Sequence, residues 1–340
     1  MIRDELNNLY QNASGHIYFT GSEGYWSNLD KKENQELIRA LQHMDTKEAI
    51  KKYQAWLFDM IFSPKRSGGL ELLDLSGDES CIDYGCMWGA LTVALAKRCK
   101  HVLGVDQTMD SLKLLNARLK DEGLENVDLL CGNLKEIGCF ENKFDIAVIN
   151  GVLEWIPENG PIELKKYYGK YNVKEYTSSP REQQVLFLKK VHRNLNDKGK
   201  LYLAIENRYD FKMFLGMKDP HANLLFASFL PRKAADWLSG LILGRPYVNW
   251  LYSFNDVESL LKQAGFSGID LYMCFPDYRF PERIMPYGSS LSGFRTSISL
   301  KNSKGRITIK RRLGIVAEYV AFKILKAKYF APSIVAIAYK

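Results

Sequence analysis

Short apolar runs alternate with helical repeats through the first half of the chain. Ser80–Tyr84 and Val102–Val105 have the length and apolar character of buried strands, and Leu91–Lys97 between them has helical apolar spacing. Two further strand-like runs follow, Asn126–Leu134 and Phe144–Pro157, and the second of these passes into a loop. Strands that alternate with helices predict a mostly parallel sheet with helices on both faces.

The same alternation continues in the second half of the chain. A helical pattern at Glu182–Leu195 precedes a fifth strand at Gly199–Asn207, and a short helix at Asp256–Ala264 precedes a sixth strand at Ser267–Cys274. Ser333–Tyr339 predicts a seventh strand. The predicted fold class is therefore α/β, a doubly wound, seven-stranded and mostly parallel sheet whose last strand lies between strands five and six.

Three stretches lie outside this minimal sheet and are expected to cover it. Amphipathic helices are predicted at about Asn34–Leu41 and at Lys47–Ile61, with an aromatic loop that includes Tyr18. The predicted units are an N-terminal helical lid or cap (1–79), the cofactor-binding core (80–206), a substrate-binding insert (207–254), the helix and strand six of the core (255–275), a second insert (276–332) and the final strand (333–340). The alternative for the N-terminal helices is bulk packed on the sheet.

A glycine turn follows the first predicted strand. Gly85 and Gly89 bracket the turn, Asp83 lies two residues before it, and Asp106 ends the second strand. The spacing departs from the G-x-G-x-x-G turn of dinucleotide-binding proteins, and the lysine of a P-loop is absent from it. A carboxylate at the end of strand two can accept hydrogen bonds from both hydroxyls of a ribose.

This turn resembles motif I of the class I S-adenosylmethionine-dependent methyltransferases, an acid-x-G-x-G-x-G turn. Met87 stands at the place of the middle glycine, and we expect it to have an ordinary backbone conformation. The third strand resembles the segment that meets the adenine amino group, and the fourth resembles motif IV. The resemblance implies S-adenosylmethionine as cofactor, held by Asp83, Gly85, Cys86, Gly89, Asp106, Gln107, Asn133, Leu134, Asn150 and Gly151.

The insert after strand five is rich in aromatic and charged residues. It resembles methyltransferases associated with bacterial surface-glycan and polysaccharide biosynthesis. That resemblance implies a small-molecule or glycan acceptor, with methyl transfer to a sugar hydroxyl. The predicted substrate-binding residues are Tyr25, Trp26, Glu154, Asn207, Arg208, Arg245, Tyr247, Tyr252 and Tyr278. The alternative is that the aromatic side chains fill the core of the insert itself.

A hydroxyl acceptor needs help to lose its proton. His221 is the histidine in the polar insert after strand five, so we expect it to act as general base, with Glu206 and Asp219 as rivals. A structural cap role for His221 stays open. An acceptor phosphate or carboxylate would need no base.

Composition limits the remaining classes. The six cysteines form no C-x-x-C pair, which disfavours a zinc site, and no metal site is expected. Free thiols fit the reducing cytoplasm, which is the expected location. No apolar run has the length of a membrane span, and none resembles a signal peptide.

Two other functions stay open. The formal charge of +8 and the basic run Lys301–Arg312 leave room for an RNA methyltransferase. Against it, strand four lacks the Asn or Asp-Pro-Pro-Tyr or Phe motif of base N-methyltransferases, so a nucleic-acid partner is not expected. A non-catalytic binding protein with the same fold is the other alternative. The sequence does not define the oligomeric state.

Overall fold

The computed structural model describes residues 2–21, 32–158, 179–291, 294–296 and 309–340. In these ranges the strands are β1 (Gln11–Ser14), β2 (Ile17–Phe19), β3 (Ser80–Tyr84), β4 (His101–Asp106), β5 (Val127–Cys131), β6 (Phe144–Asn150), β7 (Leu195–Glu206), β8 (Gly268–Phe275), β9 (Arg283–Pro286) and β10 (Ser333–Tyr339).

All ten strands form one mixed sheet in the order β1-β2-β5-β4-β3-β6-β7-β10-β8-β9. The pairs from β2 to β7 are parallel, and β10 runs antiparallel to both β7 and β8. The seven predicted strands are confirmed, including the place of the last strand between the fifth and the sixth. The reversal of strand order between β3 and β6 creates the crevice where α/β sheets bind ligands.

The sheet is wider than the seven strands expected. Ile17–Phe19 pairs in parallel with Leu129–Cys131, so part of the N-terminal region extends the sheet instead of forming only a helical lid. Tyr18, expected in an aromatic loop, is 2% exposed in this strand. At the other edge Arg283–Pro286 pairs with β8. Both additions cover strand edges whose backbone groups would otherwise lack partners.

Eleven α-helices occur in the described ranges: Ile2–Leu9, Lys32–Ala40, Thr46–Tyr53, Phe58–Phe62, Thr92–Ala96, Met109–Asp121, Pro180–Asn194, Phe211–Phe214, Arg232–Leu243, Phe254–Ala264 and Ile309–Tyr319. The single helix expected at Lys47–Ile61 is broken at Gln54, where φ is −142° and the backbone leaves the helical region. The helix Phe254–Ala264 ends at Gly265 in the left-handed region, as a glycine C-cap does.

Strand side chains supply two hydrophobic layers, one on each face of the sheet. Ile82 and Tyr84 belong to one hydrophobic cluster. Cys81, on the opposite face of the same strand, belongs to the other. This alternation follows from the two-residue period of a strand. Both faces of the central strands are therefore buried, which leaves the carboxyl ends of the strands as the place for polar chemistry.

Candidate active site at the carboxyl edge of the sheet

The glycine turn after β3 has a backbone that ordinary residues rarely adopt. Gly85 and Gly89 have φ values of 74° and 75°, and Met87 between them has φ 45°. The expectation of an ordinary conformation for Met87 is therefore wrong, since its backbone lies in the left-handed region that costs an L-residue free energy. This conformation lets the Met87 N–H donate a hydrogen bond to Asp106 Oδ2 at 2.9 Å.

Asp106 at the end of β4 is fixed by backbone donors. Its Oδ2 accepts from Met87 and its Oδ1 accepts from the Thr108 N–H at 2.9 Å. Burial raises the pKa of Asp106 to about 6, although these hydrogen bonds oppose the shift. The carboxylate thus ties the glycine turn to the start of the next helix and remains ionised above pH 6.

A cavity opens beside this carboxylate. Six of its lining residues were predicted from the sequence: Gly85, Asp106, Gln107, Leu134, Asn150 and Gly151. Met87 lines it as well, together with Ser111, Val152 and Trp155, which sequence reasoning missed. Ser111 lies just after the start of a helix, and Trp155 lies within the Phe144–Pro157 segment that resembles motif IV but was not singled out.

A second cavity shares Gly85, Met87 and Asn150 with the first. Asp83 and Cys86 line it, as expected. Burial raises the pKa of Asp83 to about 6, while the Thr92 hydroxyl donates to its Oδ2 at 2.7 Å and opposes the shift.

Arg66 reaches this second cavity from the N-terminal region and was not predicted. Its Nη1 donates to the carbonyl oxygen of Arg279 at 3.1 Å. Within the described residues its Nε is buried without a hydrogen-bond partner. The Arg66 guanidinium thus lies near the buried acid Asp83, and its Nε–H can donate a hydrogen bond to a further anionic group.

Two predicted cofactor residues do not line either cavity. A Cβ added at Gly89 would collide with the Leu115 side chain, so this glycine serves helix packing. Asn133 accepts from the Lys135 N–H at 3.0 Å and donates to Glu136 at 3.3 Å. Its neighbour Leu134 reaches the cavity instead.

Glu154, Glu206 and His221 meet in a buried cluster behind Trp155. His221 Nε2 lies 3.6 Å from Glu154 Oε1 and 3.9 Å from Glu206 Oε2. The ring centroids of His221 and Trp155 are 4.8 Å apart. Because Trp155 also lines the first cavity, the cluster lies one side chain away from it.

The backbone around the cluster is held from several directions. The Gln184 amide donates to the carbonyl oxygen of Leu153 at 2.9 Å, and the Asn249 amide donates to that of Glu154 at 3.2 Å. Asp219 Oδ1 accepts from the His221 N–H at 2.9 Å and closes the turn that carries the imidazole. These contacts fix Glu154 and His221 relative to the end of β7.

The pKa of His221 is set by two opposing effects. Burial lowers it, but Glu154, Glu206 and Asp219 outweigh burial and raise the pKa to about 9. The raised pKa favours the protonated ring, which cannot accept a further proton, and the general-base role of His221 stays a prediction. Burial raises the pKa of Glu154.

The other predicted residues of the insert mostly hold the insert itself. Asp219 Oδ2 accepts from the Tyr247 hydroxyl at 2.7 Å, so this rival base is engaged within the insert. Asn207 donates to the carbonyl oxygen of Ala331 at 2.7 Å, and Arg208 to that of Ser228 at 2.9 Å. These side chains satisfy irregular backbone.

The last predicted acceptor residues have different places. The Tyr252 hydroxyl donates to Gln184, and Arg245 is half-buried. The Tyr278 hydroxyl lies 3.3 Å from Glu206 Oε1, so Tyr278 belongs to the cluster. Tyr25 and Trp26 lie outside the described residues.

Comparisons with known proteins bear on this arrangement. Residues 81–167 match a family model described as a methyltransferase domain. The chain is 28% identical over 149 residues to an uncharacterised methyltransferase of Schizosaccharomyces pombe, covering 42% of this chain and 46% of that protein. It is 28% identical over 174 residues to the 23S rRNA (uracil(1939)-C(5))-methyltransferase RlmD of Francisella tularensis, covering 46% and 38%. The chain thus spans less than half the length of these relatives.

Over residues 81–167 the chain is therefore similar to a methyltransferase domain. The sheet has the Rossmann-like methyltransferase fold, and the cofactor of the domain is S-adenosylmethionine. A solved S-adenosylmethionine-dependent methyltransferase from Clostridium acetobutylicum is similar at 13% identity and a TM-score of 0.45, covering 84% of this chain and 96% of that one. None of the helices in the described part of the chain is long and apolar enough to cross a membrane.

Proposed function

We propose that the chain transfers a methyl group from S-adenosylmethionine to a hydroxyl group of a small or glycan-type acceptor. The observation that carries this proposal is the buried cluster of Glu154, Glu206 and His221, separated from the first cavity by Trp155. Carboxylates beside a cofactor cavity suit a polyhydroxylated acceptor because they can accept hydrogen bonds from its hydroxyls.

The residues of the two cavities fit the cofactor. Asp106 presents a carboxylate to the ribose hydroxyls at the wall of the first cavity. Arg66 in the second cavity offers its free Nε to the carboxylate of the methionine portion. When bound, S-adenosylmethionine supplies an electrophilic methyl group. The protein holds this group, excludes water from it and aligns the acceptor.

The cluster would handle the acceptor proton. A hydroxyl becomes a good nucleophile only as its proton leaves, and general-base or electrostatic help at this step is worth about 10²–10⁴-fold in rate. Protonated His221 cannot accept that proton, so in this proposal the negative charge of Glu154 and Glu206 attracts it. His221 then orients the two carboxylates.

An RNA acceptor is the second candidate. The match to an rRNA methyltransferase favours it, and most of the basic run Lys301–Arg312 lies outside the described residues. The methyl group in that relative goes to a uracil carbon, according to its name. The buried carboxylates next to the cavity disfavour a polyanionic acceptor, because like charges repel.

Transfer of tritium from methyl-labelled cofactor tests the two candidates. We expect label in nucleotide sugars or oligosaccharides and none above background in total RNA. Glu206→Gln should lower turnover with the sugar by about 10²-fold or more. The matched control is Glu258→Gln, since Glu258 is an exposed acid paired with Lys262 at 2.5 Å. Label in RNA alone would contradict the proposal.

A further inference from the structure

We propose that Glu154, Glu206 and His221 form a binding site for a divalent metal cation. The three residues come from separate parts of the chain: Glu154 follows β6, Glu206 ends β7, and His221 lies in the insert. One donor atom of each lies within 4.8 Å of the other two. Cation binding is independent of the acceptor, and only its catalytic use rests on the proposed function.

The distances in the cluster match ligands of a common ion. His221 Nε2 is 3.6 Å from Glu154 Oε1 and 3.9 Å from Glu206 Oε2, too far for good hydrogen bonds. Two ligand atoms that each lie about 2.1 Å from one metal ion are about 3.0–4.2 Å apart for angles between a right angle and a straight line. Both separations fall within that range, and the donor atoms of all three residues lie within 4.8 Å of one another, so a small side-chain movement would bring them around one ion.

The polar atoms that face this space make no hydrogen bonds within the described part of the chain, and His221 meets the two carboxylates only at 3.6 and 3.9 Å. Both carboxylate oxygens of Glu154 and the Oε2 atom of Glu206 are buried without a hydrogen bond. Buried charges without partners are costly, and proteins normally pair them or use them to bind metals. The two carboxylate oxygens of Glu206 face different groups. Its Oε1 faces the Tyr278 hydroxyl at 3.3 Å and the Arg279 guanidinium at 4.0 Å. Its Oε2 is thereby left for the ion.

The surroundings of His221 suit a ligand histidine. Its Nδ1 is buried without a hydrogen bond and lies 3.8 Å from Asp219 Oδ1. Histidine ligands commonly direct the second ring nitrogen toward a carboxylate, which fixes the ring and the tautomer. Asp219 is itself held by Tyr247. Binding of a cation requires that Nε2 release its proton to solvent, after which a small adjustment brings Nδ1–H onto Asp219.

The donor set indicates the class of cation. Two carboxylates favour Mn²⁺ and similar hard ions, and an imidazole favours first-row transition metals and zinc over Mg²⁺ or Ca²⁺. A first-row divalent cation such as Mn²⁺ or Zn²⁺ fits both. Three protein ligands leave coordination positions open, as in catalytic metal sites. Sequence reasoning expected no metal here because it considered mainly the cysteines.

The place of the site explains what the cation would do. The Tyr278 hydroxyl occupies the space that a Cβ at Gly151 would need, and Gly151 lines the first cavity. An acceptor hydroxyl on the cation would have a lowered pKa and would lose its proton to water. Its oxygen then bonds to the methyl carbon as the carbon–sulfur bond breaks. The buried carboxylates and a neutral His221 would thus serve an ion rather than each other.

Electron paramagnetic resonance during titration with MnCl₂ tests the site in the full chain without cofactor. We expect one Mn²⁺ bound per chain, displaced by Zn²⁺, and binding about 100-fold weaker in Glu154→Gln. Glu258→Gln should bind Mn²⁺ as the wild type does. Glu154→Gln keeps the shape of the side chain, and His221→Ala provides a second variant if the first does not fold. Absence of saturable binding, or equal binding in wild type and Glu154→Gln, would overturn the inference.

A second measurement separates this inference from the proposed function. Tritium transfer is measured after EDTA treatment and again after Mn²⁺ is restored. Loss and recovery of transfer support both proposals. Transfer that survives EDTA, with no Mn²⁺ binding, overturns the metal site and leaves the proposed function standing. One bound Mn²⁺ without transfer to any sugar supports the site and contradicts the function.

Discussion

Replacement of Met87 by glycine should stabilise the protein relative to replacement by alanine. Met87 has φ 45° and is 40% exposed, so its side chain contributes little buried packing. Alanine keeps the Cβ and hence the strain of the left-handed backbone, whereas glycine removes it. The comparison of Met87→Gly with Met87→Ala therefore isolates the cost of placing a residue with a Cβ in this turn.

The expected difference follows from two opposing terms. The left-handed conformation costs an L-residue about 1–2 kcal/mol. Glycine loses about 0.5–1 kcal/mol more conformational entropy than alanine when the chain folds. The glycine variant should therefore be more stable by about 0.5–1 kcal/mol. Because glycine keeps the N–H that donates to Asp106 Oδ2 at 2.9 Å, the cofactor should bind with unchanged or improved affinity.

Urea denaturation of the two variants measures the difference, and calorimetry measures cofactor affinity. Equal slopes with denaturant would show that the unfolded states are comparable. An alanine variant at least as stable as the glycine variant would refute the argument from strain. If Met87→Gly abolished cofactor binding, the methionine side chain itself would be a required contact.

Three further predictions concern Asp106 and Arg66 in the proposed cofactor site. Asp106→Ala removes the acceptor for the ribose hydroxyls, so calorimetry should show cofactor binding weaker by about 1.5–3 kcal/mol; equal affinity would contradict the assignment. Arg66→Met should raise the dissociation constant of the cofactor, whereas that of adenosine, which lacks the carboxylate, should stay the same. The folded pKa of Asp106, about 6, exceeds the usual 3.8, so its contribution to stability is present below pH 3.8 and is lost as pH rises through 6. As pH rises from 3.8 to 6, the stability of Asp106→Asn relative to wild type should therefore increase. Over the same range the affinity of the wild type for the cofactor should rise. Urea denaturation that shows no such change in relative stability would argue against a raised pKa.

Local pattern was sufficient for the central strands and for the cofactor side of the site. Each central strand is a short apolar run bounded by polar residues. The order of strands and helices along the chain determines which residues lie at the carboxyl edge of the sheet. Asp106 and Gly151 follow from that rule. The pairing of Ile17–Phe19 with Leu129–Cys131 does not, because it joins segments more than a hundred residues apart. Arg66 was missed because its place in the second cavity depends on how the segment before β3 packs, which no local pattern shows.

The acceptor side shows why polar residues in an insert are a poor guide to ligands. Asn207 and Arg208 looked like ligand contacts, yet they donate to backbone carbonyl oxygens. The irregular parts of the insert leave many such oxygens without a partner in a helix or strand, and polar side chains supply the hydrogen bonds. Glu154 follows β6 and Glu206 ends β7, and within the described residues both keep carboxylate oxygens without hydrogen bonds, because the strand backbone beside them is already paired. Chemistry therefore belongs to side chains at the fixed strand ends, and the insert contributes chiefly His221.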